Sequence, residues 1–220
     1  MKHRTLGLAL ATAMVFALAA PQARAAQSAP AIDAFNAAFA GVTSYTFKLH
    51  SHEVKGSDVQ DRVYDYSFMK PHFAKTLISS GAGRGSGGVW AGGDQVSGHQ
   101  GGFLSGIHLK VDLHDGRAVS LLGHTIPDGL PQTIVEKYAT TPGTLTESDG
   151  GLIGGAPTDL LDLKVATPGA DGVTERKLYL SKSTHWPVRE LLYAGSTVIA
   201  DDTFTDYNLN ANLTQNDFPF

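Results

Sequence analysis

Apolar and polar residues alternate along most of the chain after its first forty positions. In the clearest segment Tyr45, Phe47 and Leu49 are apolar or aromatic, and the residues between them are polar. Successive side chains of a β-strand point to opposite faces, so this period of two predicts strands with one dry and one wet face. The pattern recurs, less regularly toward the C-terminus, at residues 63–68, 108–113, 161–165, 176–180, 188–193 and 197–207.

Two segments have helical spacing instead. Apolar residues share one face between Ala31 and Gly41, and Pro30 suits the first helical position. A second helix is predicted to begin at Pro131 and to end before Pro142.

Together these elements amount to nine to eleven strands and two or three short helices. Strands joined mainly by hairpins predict a mainly β (α+β) fold with a single antiparallel sheet. The dry face of so large a sheet is wider than two short helices can fill. Curling the sheet into a partial barrel with a helical lid solves this problem and leaves room for an apolar cavity.

The first 25 residues have the three parts of a secretory signal peptide. Lys2 and Arg4 give a basic start, residues 6–20 are almost entirely apolar, and Ala23-Arg24-Ala25 supplies a small-x-small cleavage pattern. We expect cleavage after Ala25, because an apolar run of about fifteen residues is shorter than the roughly twenty that a spanning helix needs.

Charge and cysteine content narrow the function further. Cleavage leaves 14 of the 17 basic residues against 21 acidic ones, a net charge of about −7, which argues against nucleic acid as a partner. The chain has no cysteine and therefore no lipid-attachment site and no disulfide. We expect residues 26–220 to form one soluble periplasmic domain that is not lipid-anchored.

The most conspicuous stretch is glycine-rich, with eleven glycines between Gly81 and Gly106. Residues 83–88 satisfy the spacing of a dinucleotide-binding loop, but neither a βαβ unit nor a following helix surrounds them. We interpret the stretch as two short strands, at residues 88–91 and 94–97, joined by a tight turn at Gly92-Gly93. A mobile loop at a cavity mouth is the alternative.

Candidate catalytic chemistry is sparse. His50, His52, His108 and His114 would support a metal-dependent envelope enzyme if they met across strands, yet the alternation places them on the wet face. The sequence has neither a His-Glu-x-x-His nor a Gly-x-Ser-x-Gly motif. Asp201, Asp202 and Asp206 are interpreted as polar positions of a late strand and its turn. We therefore predict no catalytic residues, no metal and no cofactor.

An aromatic stripe is the strongest candidate for function. Aromatic rings offer large apolar area at low entropic cost, and a tyrosine hydroxyl can still reach a ligand head group. The residues predicted to line a cavity are Tyr45, Phe47, Tyr64, Tyr66, Phe68, Phe73 and Trp90. Lys70 and Lys75 are candidates for a head-group or lid contact.

The order of these parts resembles the LolA/LolB-like superfamily of envelope lipoprotein-sorting carriers and their relatives. The motifs that carry the resemblance are Ser44-Tyr45-Thr46-Phe47, Met69-Lys70-Pro71-His72-Phe73-Ala74-Lys75, Val89-Trp90-Ala91-Gly92-Gly93-Asp94-Gln95-Val96, Leu178-Tyr179-Leu180-Ser181, Trp186-Pro187-Val188-Arg189 and Phe204-Thr205-Asp206-Tyr207-Asn208-Leu209-Asn210. In the carrier proper an arginine usually follows the Pro-x-Phe strand, whereas this chain has Lys75.

The resemblance implies an unclosed antiparallel half-barrel, covered by helices, whose apolar interior holds acyl chains. It implies a non-enzymatic periplasmic carrier or sensor of lipids, lipoprotein acyl chains or another lipophilic ligand. The resemblance also implies envelope membrane proteins as partners and a role in lipoprotein or lipid trafficking to the outer membrane. The alternatives are an envelope protein–protein interaction module of the same fold and the metal-dependent enzyme.

Overall fold

The computed structural model describes residues 27–104 and 106–219, so the predicted signal peptide lies outside the described residues. The helices are α1 (Pro30–Ala40) and α2 (Pro131–Thr140). The strands are β1 (Ser44–Lys55), β2 (Asp58–Met69), β3 (Phe73–Gly81), β4 (Gly87–Trp90), β5 (Gln95–His99), β6 (His108–Asp112), β7 (Gly143–Ile153), β8 (Ala156–Val165), β9 (Glu175–Ser181), β10 (Pro187–Ala194) and β11 (Thr197–Asn208). No helix in the described part of the chain is long and apolar enough to cross a membrane.

All eleven strands form one antiparallel sheet with the order β6-β5-β4-β3-β2-β1-β11-β10-β9-β8-β7. Strands that follow each other along the chain pair as hairpins in each half of the sheet. The two halves join through the β1–β11 pair, and β6 and β7 are the edges. The sheet is thus unclosed, which confirms the predicted mainly β half-barrel, and two α-helices are present where two or three short helices were predicted.

The inward-facing residues of β1 show how the concave face changes along its length. Tyr45, Phe47, Leu49, Ser51 and Glu53 alternate with more exposed residues and are all buried. The first three are apolar or aromatic, and the last two are polar. Because both groups lie on one face of one strand, the concave face has an aromatic end and a polar end.

At the aromatic end the helices complete a close-packed core. The ring centroid of Phe39, on α1, lies 6.5 Å from that of Tyr45 and 6.3 Å from that of Phe68. Trp186, which precedes β10, packs edge-on against Tyr45 at 5.0 Å. Tyr138 of α2 is fully buried in the same cluster. Fully burying such a side chain stabilises the fold by roughly 1.5–3 kcal/mol. The packed rings fill this end of the half-barrel.

The glycine-rich hairpin is confirmed. β4 and β5 pair with Val89 opposite Ser97, and both Gly92 and Gly93 in the intervening turn have positive φ angles. A side chain is strained in that backbone conformation, which explains the two glycines there.

Candidate ligand-binding site

A cavity of about 740 Å³ lies at the polar end of the concave face. Strands of both halves of the sheet line it, together with residues 113–130, which run from β6 to α2 and are called the lid segment here. Gly88 of β4 permits the close approach of this segment. A Cβ atom at Gly88 would lie 3.0 Å from Ile126 Cδ1 and 3.3 Å from Val96 Cγ2, so a larger residue would require these two side chains to shift.

One side of the cavity is apolar. Its residues come from β3, β5, β6 and the approach to β6, and they are Ile78, Val96, Ile107, Leu109 and Val111. We call this set the apolar wall. Ile78 and Val96 are buried, whereas Leu109 is 52% exposed and Ile107 is 55% exposed. Leu109 and Ile107 therefore present apolar surface that a ligand would cover.

The other side of the cavity is charged although it is buried. Its residues are all buried, and they are Ser51, Glu53, Arg176, Glu190 and Asp202. We call this set the polar floor. Asp202 on β11 lies opposite Ser51 on β1 and opposite Glu190 on β10. The register thus places these three side chains in one row across the sheet.

Glu53 ties the lid segment to the polar floor. Its carboxylate accepts hydrogen bonds from Ser120 Oγ at 2.8 Å and from the Leu122 backbone N–H at 2.9 Å. His124 Nδ1 lies 2.9 Å from the same carboxylate. Burial acts to raise the pKa of Glu53, but the hydrogen bond and charge of His124 and the other two donors outweigh it, so the pKa is lowered.

The pKa of His124 moves in the opposite direction. Burial acts to lower it, but the hydrogen bond and the charge of Glu53 outweigh burial, and Asp202 adds to the rise. A lowered acid and a raised base describe a buried ion pair. We therefore regard Glu53 and His124 as a latch that holds the lid segment over the cavity.

Arg176 and Glu190 also have partners within the protein. Arg176 Nη1 lies 3.5 Å from Glu190 Oε1, and Arg176 Nη2 lies 3.4 Å from Asp171 Oδ2. The Tyr138 hydroxyl donates to Glu190 Oε1 at 3.1 Å. These contacts link the polar floor to α2.

Asp202 differs from its neighbours. Its Oδ1 atom is buried and has no hydrogen-bond partner among the described residues. Burial raises the pKa of the Asp202 carboxyl to about 7, the nearby carboxylates of Glu190 and Glu53 add to the rise, and the Ser51 hydroxyl and His124 oppose it.

Of the nine residues predicted to bind a ligand, Tyr64 and Tyr66 lie on the cavity wall. Tyr66 reaches the lid segment, where its hydroxyl donates to the Ile126 carbonyl at 3.4 Å. Tyr45, Phe47 and Phe68 lie instead in the close-packed core at the aromatic end.

The other four predicted residues also lie away from the described lining of the cavity. Phe73 packs against Phe218, and the Trp90 indole N–H donates to the Gly93 carbonyl across the β4–β5 turn. Lys70 donates to the Phe39 carbonyl at the end of α1, at 2.8 Å. Lys75 donates to the Asp217 carbonyl at 2.7 Å. Both lysines thus connect β2 and β3 to neighbouring segments.

The four histidines considered for a metal site are not brought together. His50 and His52 lie on β1, in the middle of the sheet, whereas His108 lies on the edge strand β6 and His114 follows it. His52 Nδ1 lies 2.7 Å from Asp61 at the surface. In residues 27–104 and 106–219 there is no group of three or more side chains that would hold a metal ion.

Sequence reasoning missed the polar floor. Its signal was present, because Ser51 and Glu53 continue the inward register of Tyr45, Phe47 and Leu49. Asp202 likewise lies between the buried Ala200 and Phe204 on β11. Assigning every polar residue to the wet face concealed these acids.

Neither a family model nor a curated protein matches the sequence. Solved structures do resemble it. An uncharacterized conserved protein from Thermus thermophilus has a TM-score of 0.56 at 11% identity, over 86% of this chain and 90% of that one. MucB has a TM-score of 0.53 at 15% identity, over 88% of this chain and 63% of MucB.

A LolA superfamily protein from Nitrosomonas europaea matches with a TM-score of 0.37 at 11% identity, over 88% of this chain and 99% of that one. At such identities the likeness concerns the fold alone. The unclosed eleven-stranded sheet, covered by helices on its concave side, is the antiparallel half-barrel that the sequence predicted.

Proposed function

We propose that this protein is a non-enzymatic periplasmic carrier or sensor that binds an acyl chain or another lipophilic ligand in the cavity. The observation that carries the proposal is the cavity of about 740 Å³ with an apolar wall. This volume lies within the roughly 300–1,000 Å³ typical of small-molecule sites. The predicted signal peptide supports the periplasmic location, and acyl chains of lipoproteins are among the ligands that the proposal includes.

Apolar burial supplies the affinity in this proposal. Each methylene group that leaves water contributes about 0.8 kcal/mol, so a sixteen-carbon chain offers on the order of 10 kcal/mol before ordering costs. Tyr64, Tyr66 and the apolar wall are the contacts that we propose for the chain. Half-exposed Leu109 and Ile107 would become covered when the ligand binds.

We predict that Leu109→Glu weakens binding of a fluorescent apolar probe such as N-phenyl-1-naphthylamine by at least tenfold. The substitution places a charge on the apolar wall, where a ligand would have to desolvate it. Leu109 is already half exposed, so the fold should tolerate the change. Probe fluorescence is titrated with the purified protein after delipidation in denaturant and refolding.

The matched control is Leu152→Glu, on edge strand β7, where the leucine is 69% exposed and is not among the described lining residues. This variant should bind the probe as the wild type does. Native mass spectrometry of protein purified from its own host should also show a co-purified lipid. If neither lipid nor probe binds the wild type, the proposed function is wrong.

A further inference from the structure

The cavity combines two surfaces that a single apolar chain would not satisfy. An acyl chain matches the apolar wall but offers no hydrogen bonds to the polar floor. Buried polar groups without partners are costly, so a cavity meant only for hydrocarbon would gain nothing from charged residues there. The polar floor lies on β1 and β9–β11, across the cavity from the apolar wall. The arrangement suits a ligand with a tail and a polar end.

The internal contacts identify which group of the polar floor is left for a ligand. Glu53 is occupied by the lid segment, and Glu190 by Tyr138 and Arg176. Asp202 takes part in none of the ion pairs found among the described residues, and its Oδ1 has no hydrogen-bond partner there. It is the carboxyl in the row that still needs a donor.

Three of the cations that line the cavity, Arg62, Lys137 and Arg176, are engaged within the protein. Arg62 Nε donates to the Ala82 carbonyl, and Arg62 Nη1 donates to the Tyr64 hydroxyl. Lys137 pairs with Asp128 at 2.7 Å. Arg176 contacts Glu190 rather than Asp202. The carboxylates of Glu190 and Glu53 lie near Asp202 and disfavour its negative charge.

We infer that the polar floor is a subsite for a cationic amine, so that the preferred ligand is an amphiphile whose polar end is an ammonium group. The inference rests on the proposed function and names the ligand class of the same cavity. An ammonium group donates up to three hydrogen bonds, and one of these would be a charge-assisted bond to Asp202 Oδ1. A carboxylate ligand would instead face Asp202, Glu190 and Glu53, and would be repelled.

The test compares three ligands with the same tail: dodecylamine, dodecanol and dodecanoate. Each displaces N-phenyl-1-naphthylamine from the delipidated protein at pH 8, below its micelle concentration. Dodecylamine should bind at least tenfold more tightly than dodecanoate, with dodecanol between them. This factor corresponds to the low end of the range for a hydrogen bond to a charged group.

Asp202→Asn should weaken the binding of dodecylamine by at least tenfold, because the amine interacts with the carboxylate charge. The affinity for dodecanol should stay within about twofold of the wild-type value, because the alcohol carries no charge. Asp201→Asn is the matched control, because Asp201 is the next residue of β11, faces outward and pairs with Arg189 at 2.6 Å. It should change none of the three affinities. Circular dichroism verifies that each variant is folded.

Equal affinity for amine and carboxylate in the wild type overturns the inference, and this comparison needs no variant. An amine affinity that Asp202→Asn leaves unchanged overturns it as well. If none of the three ligands displaces the probe, the proposed function itself fails. The two failures are therefore distinct.

Discussion

Glu53 of the polar floor and His124 of the lid segment make the stability of this protein depend on pH in opposite ways. The lowered pKa of Glu53 stabilises the folded state above the ordinary glutamate pKa, and this contribution is lost as the pH falls through the folded value. The raised pKa of His124 stabilises it below the ordinary histidine pKa, and this contribution is lost as the pH rises through the folded value. The latch is therefore strongest between those two pH values.

We predict that Glu53→Gln lowers the free energy of unfolding by about 2–4 kcal/mol at pH 6, because it leaves His124 and the lid-segment donors without a buried carboxylate. Urea denaturation at pH 6 measures the loss. Asp61→Asn is the control, since it removes the partner of His52 from an equally short but exposed pair. That change should cost less than about 1 kcal/mol. Equal losses in the two variants would contradict the latch.

The pH dependence that Asp202 gives to stability is opposite to that of Glu53. Its raised pKa means that the folded state binds the proton more tightly than the unfolded chain, so stability falls as the pH rises from about 4 to about 7. We predict that Asp202→Asn stabilises the ligand-free protein and that the gain is larger at pH 8 than at pH 5. Urea denaturation at the two pH values tests this, and a gain independent of pH would show that the carboxyl does not ionise unfavourably.

Among the elements, the ends of α1 and β2 meet through Lys70. Its ammonium donates to the Phe39 and Ala40 carbonyls and lies 4.1 Å from the centre of the Phe39 ring. These carbonyls belong to the last turn of the helix, where no further turn supplies donors. Lys70 therefore caps α1.

We predict that Lys70→Ala lowers the free energy of unfolding by about 1–2 kcal/mol, the sum of a lost cap contact and a cation–π contact. Probe affinity should stay within twofold of the wild type, because Lys70 does not line the cavity. Lys55→Ala, at the exposed end of β1, is the control and should change neither quantity. A large loss of affinity in Lys70→Ala would favour the head-group role that the sequence suggested.

The alternation of residues predicted most strands because most lie with one face on the core. It failed for β7, an edge strand in which most residues are exposed on both faces, so that no period of two arises. The alternation also showed that the aromatic residues of β1 and β2 share a face. It did not show that α1 covers that part of the face, because the position of a helix along a sheet depends on contacts distant in sequence.

At the scale of the whole molecule, one curved sheet holds a filled aromatic core and a cavity side by side. The cavity was predictable in outline, since two short helices are too small for an eleven-stranded face. Its position was not predictable, because the burial of Glu53 and Asp202 depends on the pairing of β1 with β11 and on the lid segment. The fold was therefore easier to predict than the site.

The pairing of β1 with β11 also affects when the cavity can form. The apolar wall lies between residues 78 and 111, whereas three of the five polar-floor residues belong to β9–β11. The ribosome completes β6 long before it reaches β11, so the apolar wall is synthesised before most of the polar floor. Contacts so distant in sequence form slowly. In a nascent chain the apolar wall therefore lacks the opposite side of the cavity until the final strand has been made.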